Sequence, residues 1–345
     1  MFAVYAAAPD FDDPLAGLMT GERPEPEVPP GWAAVSMRAA SLNMHDLSTL
    51  RGWGMPPERY PMILGCDGAG VLADGTEVVV HALVGSPGWT GPETLDPGRT
   101  VLSERHQGSF AETLVVPVRN LVPKPAGLSF SEAACLPTAW LTAYRMLFTN
   151  AGVRPGQTVL VQGRERIGSI ATAAVRLAVA AGLEVWVTAE GSSRALAADL
   201  GAHRILEPSQ TPPGLVDVVL DGGVDETSWT RSLDLLRPGG AIVCAGYRAG
   251  RAAESAAPHA LHRLIFGELR LVGSAMGTAE ELAELLTFLD HTGLRPRIAR
   301  ELPLQEAADG FREMLTGEAD GKIVFTLPPS PAASEHTQPL GHLSE

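Results

Sequence analysis

The segment Gly156–Gly182, GQTVLVQGRERIGSIATAAVRLAVAAG, holds the residues of this chain whose types and spacing point most directly to chemistry. Thr158 to Gln162 is a β-branched run ending at Gly163. Gly168 follows, and Ile170, Ala174, Leu177 and Ala181 then recur at helical spacing. Strand, glycine-edged loop and helix make the layout of a dinucleotide phosphate site, in which loop N–H groups and a helix N-terminus face a pyrophosphate. The loop departs from G-x-G-x-x-G, because Glu165 stands at the position of the middle glycine. A carboxylate about 5 Å from a phosphate charge costs about 3 kcal/mol at an effective dielectric near ~20. That weakens binding about a hundredfold. Arg164 and Arg166 flank the acid and either neutralise it or hold phosphate oxygens themselves. The candidate phosphate-loop residues are therefore Gly163, Arg164, Arg166, Ile167 and Gly168, with Ser169 as an alternative to Gly168.

Such a site needs a parallel sheet to hold it, and the chain is long enough for one. Its 345 residues suit two domains, and 45% hydrophobic with 19% charged residues is an ordinary globular composition. A net charge of −14 opposes a nucleic-acid partner. Three scattered cysteines, Cys66, Cys135 and Cys244, form neither a disulfide framework nor a metal knuckle, so a reducing cytoplasm is the expected location. The N-terminal MFAVYAAAPDFDD reads as a first strand rather than a signal peptide. The longest apolar stretch, Ile167 to Ala189, is broken by Arg176, Gly182 and Glu184, so no membrane span is expected.

Up to residue 125 the chain shows short β-type runs, Trp32 to Met37, Val78 to Val80 and Glu112 to Val116, which predict a mostly β domain. From residue 126 the pattern alternates. Strand-like runs at Thr158 to Gln162, Glu184 to Thr188, Val216 to Leu220, Ala241 to Ala245 and Leu269 to Gly273 are interleaved with helical stretches at Ile170 to Ala181, Ser192 to Leu200, Ser228 to Leu236 and Glu280 to His291. This predicts a doubly wound parallel sheet over 126–299. Residues 300–327, with the run GKIVFTL at Gly321 to Leu327, are expected to return to the first domain. The tail 328–345 lacks periodicity and reads as disordered.

Seven segments in order then carry a resemblance: AASLNMHDLSTLRG (Ala39 to Gly52), LGCDGAGV (Leu64 to Val71), GSFAETLVVPVRNLVPKP (Gly108 to Pro125), AACLPTAWLTAYRML (Ala133 to Leu147), LRPGGAIVCAG (Leu236 to Gly246), LVGSAMGT (Leu271 to Thr278) and GKIV (Gly321 to Val324). The chain resembles the medium-chain dehydrogenase/reductase superfamily, and within it the zinc-free quinone-oxidoreductase-like branch. The resemblance implies a GroES-like, mostly β catalytic domain, a Rossmann domain and a cleft between them where nicotinamide meets a small-molecule substrate. It also implies a sheet-extending homodimer, for which Leu269 to Gly273 would be the edge.

In zinc-bearing members of that superfamily the metal ligands fall at positions held here by Asn43, Cys66 and Thr138. An amide, one thiol and a hydroxyl are a poor set for zinc, so no metal is expected. The resemblance places Asn43, His45 and Asp46 at the catalytic end: Asn43 to donate to the substrate oxygen, His45 to supply a proton. The other reading has Asn43 and Asp46 fixing a turn and His45 facing solvent. Thr142 matches a nicotinamide contact, and Lys322 a lysine that reaches the cofactor in some relatives. Met44, Trp53, Cys66, Trp89 and Trp140 are candidates for the substrate wall. Gly246, Tyr247, Ser274, Met276 and Gly277 follow the carboxyl ends of two strands, where ligands bind in this fold. At the end of the second strand Thr188 replaces the expected acid, and Ser192 and Arg194 suit the 2′-phosphate of NADPH, whereas Glu190 argues for NADH. The expected activity is NADPH-dependent reduction of a small enone, quinone or related carbonyl. The alternative is a scaffold that has lost its nucleotide through the Arg164-Glu165-Arg166 loop and serves as a cyclase-like enzyme or a binding protein. From Gly168 to Gly182 the helix is about one turn longer than the branch implies, which leaves the loop's alignment open.

Overall fold

The structure, a computed structural model, describes residues 1–164, 166–223, 228–246, 257–317 and 319–328. Glu165, Tyr247 and the expected disordered tail beyond Pro328 lie outside the described residues, as does the side chain of Arg164.

Alternating apolar residues give the first part its strands. In Trp32–Ser41, for example, Val35, Met37 and Ala39 are buried, and this strand is the centre of a seven-stranded sheet. Beside it on one side run Asp67–Val71, Glu77–Val80 and Leu121–Pro123; on the other run Lys322–Thr326 and Ile298–Pro303, and Thr113–Pro117 pairs with its first half. Phe110 meets the Phe325 ring edge-on at 5.0 Å between centroids, and both are fully buried. Each such ring contributes about 1.5–3 kcal/mol by leaving water. The packing fixes the register of the last strand, in which Val324 stands opposite Ser41. By this pairing Lys322 arrives beside Asn43 although the two are far apart in sequence.

The second sheet is six-stranded and parallel, in the order Arg204–Leu206, Glu184–Ala189, Thr158–Arg164, Val216–Asp221, Leu236–Cys244, Arg270–Gly273. Helices Ser169–Ala180, Ser193–Asp199, Ser228–Asp234, Ala257–Phe266 and Ala279–Thr292 lie between and after these strands. The mixed α/β architecture is the expected one, a GroES-like part and a Rossmann sheet. Two elements escape the sequence pattern. Arg204–Leu206 is only 3 residues long, too short to show alternation, and Ala257–Phe266 follows an alanine-rich stretch without a clear apolar stripe. No helix among the described residues is long and apolar enough to cross a membrane.

Candidate active site

A cleft of about 800 Å³ runs between the two parts. Asn43, Met44, His45 and Thr138 line one end; Gly163, Arg166, Gly168, Ser169 and Thr188 line the middle; Glu190, Gln210 and Arg231 line the far end. Two helix starts position these groups. Asn43 precedes the helix Met44–Leu50, and Thr138 sits in a π-helical stretch, Leu136–Trp140, of the kind that often marks functional sites.

Beneath the catalytic end lies a closed polar network. Lys322 Nζ donates to Leu42 O at 2.9 Å and to Asn43 Oδ1 at 2.6 Å, and stands 3.4 Å from Asp67 Oδ2. An ammonium has only donors, so the atom of Asn43 facing it must be the amide oxygen. The amide nitrogen then points the other way, donating to Ser41 O at 3.1 Å and Asp67 Oδ2 at 2.9 Å, with Cys66 Sγ at 3.5 Å. Ser41 and Thr138 hydroxyls donate to the same Asp67 carboxylate. This corrects two expectations. Both Asn43 amide hydrogens are consumed inside the network, so Asn43 orients the site and has no donor left for a substrate oxygen. Lys322 is 3% exposed, and its ammonium is spent on Leu42 O, Asn43 Oδ1 and Asp67 rather than presented to the cleft.

Asp46 is fully buried and accepts from Asn43 N and Gly65 N, both at 2.8 Å, which clasps the helix start to the loop before Cys66. Burial pushes its carboxyl up to about 6, against the pull of His45 and of those two N–H groups toward the anion. Asp46 is thus a structural clasp, and of the expected catalytic trio His45 is the one with a titratable group on the cleft. Its Nε2 is buried without a hydrogen-bond partner among the described residues, 3.9 Å from Glu104 Oε1.

The donor set also decides the fit of a metal. Burial pushes the Cys66 thiol well up, so it stays protonated, and Thr138 spends its proton on Asp67. A divalent cation here would meet an ammonium and an amide N–H instead of lone pairs, and these residues do not fit zinc.

At the middle of the cleft the helix Ser169–Ala180 begins with Gly168 as its N-cap. A Cβ built on Gly168 would meet nothing within 4 Å, so a ligand can approach the backbone closely. The helix start therefore lies at Gly168 and Ser169. Thr188 Oγ1 accepts from Gly163 N at 3.0 Å and donates to Gln162 at 2.8 Å. Arg166 crosses the cleft and donates to Thr316 O at 2.9 Å. Ile167 packs into the core.

Several other candidates stand off the cleft. Trp140, Cys66 and Thr142 are buried. Trp53 is exposed beside Phe11, and Trp89 donates to Pro92 O within its own loop. Ser192 precedes the helix Ser193–Asp199, and Arg194 pairs with Glu207 at 2.8 Å. Gly246 follows Leu236–Cys244, and the Ser274–Gly277 loop follows Arg270–Gly273, with Met276 in the left-handed region at φ 54°. That loop is pinned from the other part of the molecule by His81, a residue that no motif singles out. His81 Nε2 lies 2.8 Å from Gly277 O, so this nitrogen carries the proton, and burial holds the ring's pKa down.

Fold and site together define a two-part scaffold, a mixed-sheet part and a parallel-sheet part with a cleft between them. The alcohol dehydrogenase GroES-like domain family matches residues 29–126, and the zinc-binding dehydrogenase family matches residues 169–291. The chain belongs to the medium-chain dehydrogenase/reductase superfamily. It is 33% identical over 342 residues to the spectinabilin polyketide synthase system protein NorB of Streptomyces orinoci, covering 95% of this chain but 15% of that protein. A zinc-type alcohol dehydrogenase-like protein of Schizosaccharomyces pombe is 26% identical over 91% of this chain and 97% of its own length. Among solved structures, an NAD-dependent alcohol dehydrogenase superposes with a TM-score of 0.83 at 29% identity, covering 95% of this chain and 100% of that one. These likenesses support an NAD(P)H-dependent oxidoreductase.

Proposed function

We propose that this chain is a cytoplasmic, zinc-independent member of the quinone-oxidoreductase-like branch that uses NADPH to reduce a small enone, quinone or related carbonyl. The observation that carries the reading is one continuous cleft, from a helix N-terminus with an open glycine at Gly168 to a histidine at position 45. The first N–H groups of a helix lack intrahelical partners, so those after Gly168 would hold a pyrophosphate. Bound there, the reduced nicotinamide supplies a hydride. His45 delivers a proton at the catalytic end, while Asn43, Asp67 and Lys322 keep the floor rigid and uncharged overall. The lack of an acid at Thr188 supports NADPH over NADH. The non-redox alternative rests on Glu165, which lies outside the described residues. The exposed edge strand Arg270–Gly273, with Leu271 51% exposed, supports a homodimer formed by sheet extension.

The test is a fluorescence titration with NADPH, followed by turnover of an enone panel before and after chelation. Micromolar binding with chelator-resistant reduction is expected. Binding no tighter than about 1 mM, or activity that chelation abolishes and zinc restores, overturns the proposal.

A further inference from the structure

Three strands meet where the cofactor's adenosine end would lie. Thr188, at the end of Glu184–Ala189, is the register partner of Gln162 on one side and Leu206 on the other. The helix Ser228–Asp234 docks against the same point, because Gln162 Nε2 lies 3.3 Å from Ser232 Oγ. The residue before that anchor, Arg231, lines the far end of the cleft together with Glu190, Leu206 and Gln210. Its side chain is exposed and makes no hydrogen bond or ion pair among the described residues.

Two other described cations of the region, Arg194 and Arg166, are already engaged. Arg194 is held by Glu207 and does not line the cleft, and Arg166 is held by Thr316 O. Thr188, whose hydroxyl bonds Gly163 and Gln162, has no donor to spare. A guanidinium presents several N–H groups in a planar fork that matches a phosphate monoester, and an unpaired one needs no prior bond to break.

We infer that Arg231 is the residue that takes the 2′-phosphate of NADPH and sets the preference for the phosphorylated dinucleotide. The inference rests on the NADPH reading above and puts Arg231 where the sequence pattern had suggested Arg194. Glu190, an acid lining the same end, repels the phosphate and favours a free ribose diol, so selectivity depends on Arg231 outweighing it.

The experiment measures the ratio of kcat/KM with NADPH to that with NADH for the wild type, Arg231→Ala, Arg231→Lys and Arg194→Ala, with circular dichroism melting to confirm folding. Arg231→Ala should lower the ratio at least tenfold through the KM for NADPH, Arg231→Lys should recover part of it, and Arg194→Ala should leave it within twofold. If Arg231→Ala keeps the ratio within twofold, or Arg194→Ala causes the loss instead, the assignment is overturned while NADPH use stands. A wild type that prefers NADH, or binds neither, overturns the cofactor reading itself.

Discussion

Replacing Lys322 by Met removes the cation from a carboxylate that has no access to water. Lys322 and Asp67 are 3% and 0% exposed and 3.4 Å apart, so their attraction is about 5 kcal/mol at an effective dielectric near ~20. The substitution also strips the Asn43 amide oxygen and the Leu42 carbonyl of their donor. Breaking such a pair from one side costs about 3–5 kcal/mol, because the remaining charge stays buried. At roughly 2–4 °C per kcal/mol, the melting temperature of Lys322→Met should fall by about 10 °C. Adding Asp67→Asn removes the stranded charge while keeping one amide oxygen as acceptor, and the hydroxyl of Ser41 or Thr138 left beside the new NH2 can turn to accept from it, so the double variant should melt above Lys322→Met. Differential scanning fluorimetry of the single and double variants measures both effects. A loss under about 2 °C for Lys322→Met, or a double variant no more stable than it, would refute the reading of this network as a compensated buried pair.

His45→Phe should reduce kcat about a hundredfold for the loss of a positioned proton donor and leave the KM for NADPH within about threefold; an unchanged kcat would remove His45 from the chemistry. The native state holds the Asp46 proton more tightly than the unfolded chain, whose carboxyl titrates near the ordinary 3.8. Its stabilisation is therefore full below about pH 4 and is lost as the pH rises through about 6, by up to about 3 kcal/mol. Urea unfolding of the wild type minus Asp46→Asn should show that decline between pH 4 and 7, and a flat difference contradicts it. Gly317 has φ 68°, and a Cβ there would fall on the Arg166 guanidinium. Gly317→Ala should cost about 1 kcal/mol more in the wild type than in an Arg166→Ala background, where only the left-handed backbone is penalised; equal costs would deny the contact across the cleft. A conjugated enone should be reduced at least about a hundredfold faster, by kcat/KM, than the matching saturated ketone, and parity would show an oxyanion site that the geometry lacks.

How much of this was legible beforehand varies with range in sequence. The Rossmann strands and most of their helices follow from local runs such as Val216 to Leu220, since each segment's own periodicity reports its burial. The phosphate loop was half legible. Glycine spacing located it and put Gly168 beside the helix start, where the N-cap lies, but which of Gly168 and Ser169 takes that place depends on where the chain first closes a turn. The Lys322 network was partly legible: the resemblance put Asn43, Cys66 and Thr138 at one place, but that Lys322 and the Asp67 carboxylate tie them together shows only once their strands pair. Likewise His81 and Gly277 meet only when the two parts pack, and Arg231 shows its significance only once Arg194 is seen bound to Glu207.

The charge balance of the catalytic end limits what chemistry it can support. Asp67 and Lys322 cancel, and the donors of Asn43, Ser41 and Thr138 all end on the same carboxylate or the Ser41 carbonyl. No fixed positive charge and no spare hydrogen-bond donor in this network faces the place where negative charge would grow on a substrate oxygen. Without that preorganised stabilisation, worth about 3–4 kcal/mol for a single donor in other active sites, hydride addition is favoured only where the substrate spreads its own charge. A conjugated acceptor does so, because the electrons pushed by hydride are shared between carbon and oxygen until a proton arrives. On the proposed reading, one histidine at the cleft wall then suffices as proton donor, and the buried lysine serves by holding the floor neutral.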